Sequence, residues 1–348
     1  MKKVSLGKGL VILLMGAMAA SCTKEAEAPF ETTQIPADST ITASSLDAVS
    51  ATSTKTSSSV GTPIGYASVN GTTTGGKGGK EVTVTTLSAL KTAAGSSSPM
   101  IIKVSGTIKG NEYIKVKSNK TIIGLKGATL NGPGLYLQSV SNIIIQNLII
   151  TNPSKSDAIT IRDKSHHIWI DHCTFSNPKY DGLLDITNES DYVTVSWSKF
   201  SDAAKNTLVG SGEANVSDKG KLHVTYHHNY FLNNLERSPS LSFGTGHVFN
   251  NYYQNTKTLK NGYGIASRMG AVIYAENNYF DGVKGAPIAT IGTKLGFVGG
   301  EKTNIYKNSG ANKIKTTASK WVPTYSYKSA LIPAANVPSA VKAGAGAR

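Results

Sequence analysis

The chain has 348 residues, of which 16% are charged, with a formal net charge of +15 and only two cysteines. That length allows one large domain or two modest ones, and two cysteines exclude a fold stapled by several disulfides. The positive balance points to a polyanionic partner, for which nucleic acid, an anionic lipid surface and an acidic polysaccharide are the candidates.

Residues 1–22 open with Lys2 and Lys3, continue as an apolar run from Leu10 to Ala20 and end in small residues. This is the layout of a secretory signal. The run falls short of the roughly 20 residues a membrane span needs. Ala19-Ala20-Ser21-Cys22 resembles a bacterial lipoprotein cleavage box, with Ala19 where leucine is usual. Cys22 is the expected lipidation site, and it would tether the protein to a bacterial outer membrane or cell surface without spanning it. Without that lipid the protein is simply secreted. Cys173 is then left without a partner and reads as a packed residue. Residues 23–60 are rich in Ser, Thr and Ala, show no period, and read as a flexible linker. Residues 61–330 read as one all-β domain. Residues 331–348 read as a tail, loose from Ala334 onward.

Inside the domain a nine-residue pattern recurs. It appears at Asn142–Ile150, His167–Phe175, Tyr192–Phe200, His223–Phe231, Thr245–Tyr253 and Val272–Phe280, with starts 25, 25, 31, 22 and 27 positions apart. Each copy begins with alternating apolar residues, which is the signature of a strand with one buried face. Each then has a polar cluster, often with Asn, and such side chains make bends by bonding the backbone. The spacing is too long for hairpins and too short for the four-stranded blades of a propeller. One coil per repeat, stacked into a parallel β-helix, satisfies all of this. Equivalent Asn residues would then form one internal column, and the loops of varying length would build a cleft on one flank.

At these residues the chain resembles the pectate lyases of polysaccharide lyase family 1. The resemblance runs from about Gly61 to Tyr325. It includes Gly65-Tyr66-Ala67, the run Thr74-Gly75-Gly76-Lys77-Gly78-Gly79, Val104–Ile108 and Ser118–Gly124. Its most specific stretches are Trp169-Ile170-Asp171-His172, Asp181–Asp185, Val193–Trp197 and Tyr226-His227-His228-Asn229. The resemblance implies a single-stranded right-handed parallel β-helix. It also implies calcium-dependent β-elimination of polygalacturonate.

The chemistry of such a substrate sets its own demands. Elimination removes the C5 proton beside the sugar carboxylate, so a hard cation on oxygen ligands and nearby Lys or Arg would stabilise the negative charge that develops. By resemblance Asp157, Asp181 and Asp185 are the Ca2+ ligands. Arg237 is the Brønsted base, Lys205 binds the substrate carboxylate beside it, and Arg268 is a further substrate contact. An arginine loses its proton only above about pH 12, so an alkaline optimum is expected. Two positions depart from the family pattern: Lys155 stands where a further acid is usual, and Ser242 where a second arginine is usual. Asp171, His172, His227 and His228 lie on the repeating frame and read as packing or hydrogen-bonding residues.

Three rivals remain at this stage. A pectin lyase would act on methylated substrate without calcium; Asp181 and Asp185 argue against it, while Lys155 and Ser242 argue for it. An inactive glycan-binding lipoprotein would keep the fold and lose the base, yet Arg237 and Lys205 are present. A β-helix hydrolase would need a pair of carboxylic acids in acid and base roles, and no convincing pair is found. Nucleic-acid binding has no accompanying motif. The expected partner is therefore an acidic polysaccharide, bound by a monomer.

Overall fold

The computed structural model describes residues 61–259 and 262–348. Residues 1–60, with the leader, Cys22 and the linker, lie outside the described residues. The chain forms the expected parallel β-helix. Successive coils contribute strands to three parallel sheets, of ten, nine and eight strands among the described residues. The repeat identified in sequence is the passage from the first sheet to the second. Segment His167–Phe175, for example, runs from strand His166–Asp171 through a two-residue bend into strand Thr174–Ser176.

That bend has a simple local cause. Its first residue is left-handed in six successive coils, at Asn147, His172, Trp197, His228, Asn250 and Asn277, with φ between 45° and 55°. Asn tolerates that conformation best, whereas Trp197 is an uncommon occupant. The second bend residue points inward and forms the expected column. The side-chain carbonyl of Asn229 accepts the N–H of Ser198 at 2.9 Å, and Asn251 does the same for Asn229 at 2.9 Å. Asn278 then serves Asn251 at 2.9 Å, and Asn304 serves Asn278 at 2.7 Å. Each buried backbone donor is thereby satisfied by the next coil.

Immediately after the bend, aromatic residues stack in a second column. Ring centroids are 4.8 Å apart for Phe175 and Phe200, 5.2 Å for Phe200 and Phe231, and 4.9 Å for Phe231 and Tyr253. Tyr253, Phe280 and Tyr306 continue the stack. Helix Leu87–Ala94, capped by the Thr86 hydroxyl, closes the N-terminal end of the coil and buries Leu90 and Ala94 on it. Such a cap covers apolar surface that would otherwise face water.

The glycine-rich motifs have a structural explanation. Residues 65–76 cross the outer face of the first sheet, where Thr225, Thr194 and Thr121 hydroxyls accept the N–H groups of Tyr66, Ala67 and Gly76. A Cβ on Gly65, at φ 110°, would lie 2.7 Å from Thr225, so only glycine fits that approach. The frame residues behave as expected. Asp171 is buried and accepts from Ser196 at 2.6 Å and Gln146 at 2.8 Å. His228 is buried against the Trp197 ring, at 4.4 Å, and burial pushes its imidazole down to about 4. Cys173 is a buried free thiol.

One expectation is corrected. The C-terminal residues are docked instead of loose. Helix Val337–Gly344 buries Val337 and Val341 against Tyr252. Beyond it Gly346 donates to the Trp197 carbonyl, Ala347 to Thr174 and Arg348 to Asn147. The tyrosines on the outer face of the second sheet need an apolar cover, and this segment supplies it. Among the described residues no helix is long and apolar enough to cross a membrane.

The aromatic column generates a stability test. Phe200→Ala opens a cavity between two rings and is expected to cost about 3–5 kcal/mol in denaturant unfolding. A loss below 1 kcal/mol would show that the stack does not hold the coils together.

Candidate active site

The outer face of the third sheet carries the candidate residues. Buried residues such as Leu135, Ile159, Ile161, Leu184 and Ile186 point inward, so the residues between them face out. Pairing register places Tyr136, Thr160, Asp185 and Leu208 side by side on successive coils. Asp185 therefore projects from a strand, whereas Asp157, Asp181, Lys205 and Arg237 sit in the loops that lead from the second sheet into the third.

Those loops are themselves stacked by backbone hydrogen bonds. Ile159 donates to the Leu183 carbonyl, Leu183 to Asn206, Thr207 to Arg237 at 2.6 Å and Ser238 to Gly264 at 2.8 Å. Arg237 adopts a left-handed conformation, φ 63°, and its carbonyl also accepts from the Thr207 hydroxyl. Non-glycine residues in that region are uncommon, and here the neighbouring coil stabilises the turn. The backbones of Lys205 and Glu236 pair in parallel between neighbouring coils. The structure thus brings Asp157, Asp181, Asp185, Lys205 and Arg237 onto one face across four coils.

Gly182 is the pivot of the acidic group. Its N–H donates to Asp157 Oδ1 at 3.2 Å. A Cβ at Gly182 would lie 3.3 Å from Asp157 Oδ1 and 3.5 Å from Asp185 Oδ1, so both carboxylates converge on the space a side chain would fill. Asp157 is only 3% exposed, and its Oδ2 accepts from Thr160 at 3.1 Å and Ser156 at 3.2 Å. Asp181 is the outlying member. It is half-exposed and pairs with Lys205 at 3.7 Å. Among the described residues no three metal-ligating side chains are already gathered around one point.

Burial, then the charges of Asp157 and Asp181, raise the Asp185 carboxyl well above the usual range, and Arg237 only partly offsets this. Burial and Asp181 likewise raise Asp157 against the pull of its Thr160, Ser156 and Gly182 hydrogen bonds. Two mutually repelling carboxylates, open on one side to a cleft of about 570 Å³, fit a hard cation whose other ligands are water and a bound anion. The oxygen-only donor set suits calcium better than a softer metal.

The cationic side is less uniform. Arg237 is largely covered and approaches Glu236 at 3.8 Å. Arg268 lies further along, at the end of strand Tyr263–Arg268, and pairs with Glu213 at 3.8 Å. Glu213 is fixed in turn by two hydrogen bonds from Thr293. Ser242 is buried and stands in register with Arg268 on the neighbouring coil. Lys155 is exposed, two residues before Asp157 in the same loop. Sequence reasoning missed Glu213 and the cleft wall formed by Tyr113, Tyr136 and Arg162. Aligning the short third-sheet strands by coil would have found Tyr136, since it shares a row with Asp185.

Comparison with known proteins identifies the family. The family model described as pectate lyase matches residues 37–348, beginning upstream of the domain start expected at residue 61. A probable pectate lyase B of Aspergillus terreus is 42% identical over 227 residues, 63% of this chain and 68% of that protein. A pectate trisaccharide-lyase of Bacillus licheniformis is 37% identical over 302 residues, 81% of this chain and 85% of that one. The crystal structure of a Bacillus pectate lyase in complex with trigalacturonate superposes with a TM-score of 0.68 at 30% identity, covering 82% of this chain and 98% of the other.

The carboxylate repulsion is measurable. A carboxyl whose pKa is raised on folding favours the folded state at low pH, and that advantage is lost as pH rises through the raised value. Without divalent cations, Asp185→Asn is therefore expected to raise Tm at neutral pH by about 2–4 °C for each kcal/mol of burial and repulsion penalty relieved. The difference should shrink toward zero below about pH 4, where the unfolded-state carboxyls also protonate. A lower Tm for the variant at neutral pH would contradict this reading of the cluster.

Proposed function

The chain belongs to the pectate lyase family, and from that premise we propose that it cleaves polygalacturonate by calcium-assisted β-elimination at the face built from Asp157, Asp181, Asp185, Lys205 and Arg237. The observation that carries the reading is the placement of a repelling acid cluster and two cations on successive coils of one exposed sheet face.

Asp157 and Asp185, joined by Asp181, would hold the calcium ion. When bound there, calcium neutralises the substrate carboxylate and makes the adjacent C5 proton more acidic. Lys205, which pairs with Asp181 at 3.7 Å, would contact the same carboxylate. Arg237, in the neutral form that alkaline pH populates, takes the C5 proton and becomes guanidinium. The electron pair of that C–H bond becomes the C4–C5 double bond, the C4–O bond breaks, and the leaving oxygen is protonated from solvent. Arg268, in register with Ser242, offers a carboxylate contact on the coil beside the position of the missing family arginine. Glu213 holds it in place. Upstream, the leader would export the protein and a lipid on Cys22 would tether it to a bacterial outer membrane or cell surface, where a monomer meets its polymer. Both features lie outside the described residues.

Elimination gives a double bond conjugated to a carboxylate, which absorbs in the ultraviolet, whereas hydrolysis does not. Growing absorbance on polygalacturonate at alkaline pH, abolished by chelator, is the expected result. Turnover of methylated pectin alone, indifferent to chelator, would replace the proposal with a pectin lyase. Calcium should also raise Tm in the parent protein and not in Asp185→Asn, a readout independent of activity.

Arg237→Lys is expected to lower kcat by about 100-fold or more, the usual scale for loss of a positioned base, with little change in Tm. Near-parental kcat in this variant would remove Arg237 from the role of base.

A further inference from the structure

The cleft continues past the acids toward the N-terminal end of the solenoid. Tyr113, Tyr136 and Arg162 line the same cavity as Asp157, Asp181 and Asp185. Tyr136 stands in the outward row of Thr160 and Asp185, two coils away from the latter. Neighbouring strands are about 4.8 Å apart, so the tyrosine begins roughly 10 Å along the axis from Asp185, on the order of two pyranose units.

The two rings are arranged as a platform. Their centroids are 5.2 Å apart and their planes are inclined by 43°. Tyr113 lies across the backbone of Gly134, where a Cβ would come within 3.1 Å of the ring. Glycine at that position lets the ring lie down in the cleft. Both tyrosines are half-buried and neither belongs to the apolar core. Beside them, Arg162 donates from Nε to Asp163 Oδ2 at 3.2 Å. Asp163 is itself held by Gln138 at 2.6 Å and Asn188 at 2.8 Å, so the guanidinium is anchored at the cleft edge. Lys115, exposed and in register with Tyr136, adds a second positive charge.

An aromatic face next to an anchored guanidinium is complementary to a sugar acid. The C–H face of the ring packs on the aromatic surface and the carboxylate pairs with the arginine. We infer that Tyr113, Tyr136 and Arg162 form a distal binding site for a further galacturonate unit of the polymer, and that this site makes the enzyme favour chains long enough to reach from the acids to the tyrosines. The inference rests on the proposed pectate lyase activity.

The test compares galacturonate trimer and hexamer as substrates, with ultraviolet absorbance as the readout. In the double variant Tyr113→Ala/Tyr136→Ala, the hexamer-over-trimer preference in kcat/KM is expected to fall about tenfold, through KM on the hexamer. Tyr136→Phe keeps the ring and should keep the preference, while Arg162→Gln should lose part of it. An unchanged preference in the double variant, or an equal loss on both substrates, would overturn the inference. Calorimetric binding of hexamer to Arg237→Ala, with and without the tyrosine substitutions, separates this from the activity itself. Affinity about tenfold weaker without the tyrosines supports the distal site, and equal affinity refutes it. Absence of turnover on both substrates by the parent protein would sink the proposed function while leaving the binding comparison decisive.

Discussion

The structure depends on one requirement: the backbone donors at each inward bend between the first and second sheets must find partners inside the protein. They cannot reach water, and an unpaired buried N–H is costly. Ser198, Asn229, Asn251, Asn278 and Asn304 meet the requirement by linking each coil to the next. Because each link joins equivalent residues, it also sets the register between coils. The aromatic stack beginning at Phe175 packs in the same register. Everything on the outer faces inherits that alignment.

The candidate site is a consequence of that inheritance. Once coils are in register, the loops entering the third sheet lie on top of one another and bond through their backbones. Asp157, Asp181, Lys205 and Arg237 come from four such loops, and none is near another in the local fold of its own segment. The rigid coil holds Asp157 and Asp185 together despite their repulsion. A free chain would let them separate. The solenoid core thus stabilises an acid cluster that is unfavourable without a cation, which is the usual relation between a scaffold and a preorganised site.

Legibility in sequence followed the same division. The Asn and aromatic positions were visible because their period survives loops of different length. The frame roles of Asp171, His228 and Cys173 followed from their place within that period. The acids and cations were located through the family resemblance. Their geometry was not visible, because Asp157 meets Gly182 and Asp185 only through pairing between coils. Tyr113 and Tyr136 escaped notice for a related reason. The third-sheet strands are three to six residues long, too short for alternation to stand out.

The docked C-terminal segment shows the opposite limit. Its Ala, Gly, Pro and Ser content reads as loose chain, and only Val337 and Val341, four apart, hint at a helix with an apolar face. Whether that face finds a partner depends on the tyrosines of the second sheet lying in a column, which is a tertiary fact. The sequence alone determined the repeat, the inward and outward faces, and the residues that form bends, since these follow from local periodicity and backbone preference. The tertiary structure decided which loops become neighbours, how closely the carboxylates approach, and what covers the outer aromatic face. Those depend on register between coils, a through-space relation that no local stretch of sequence encodes.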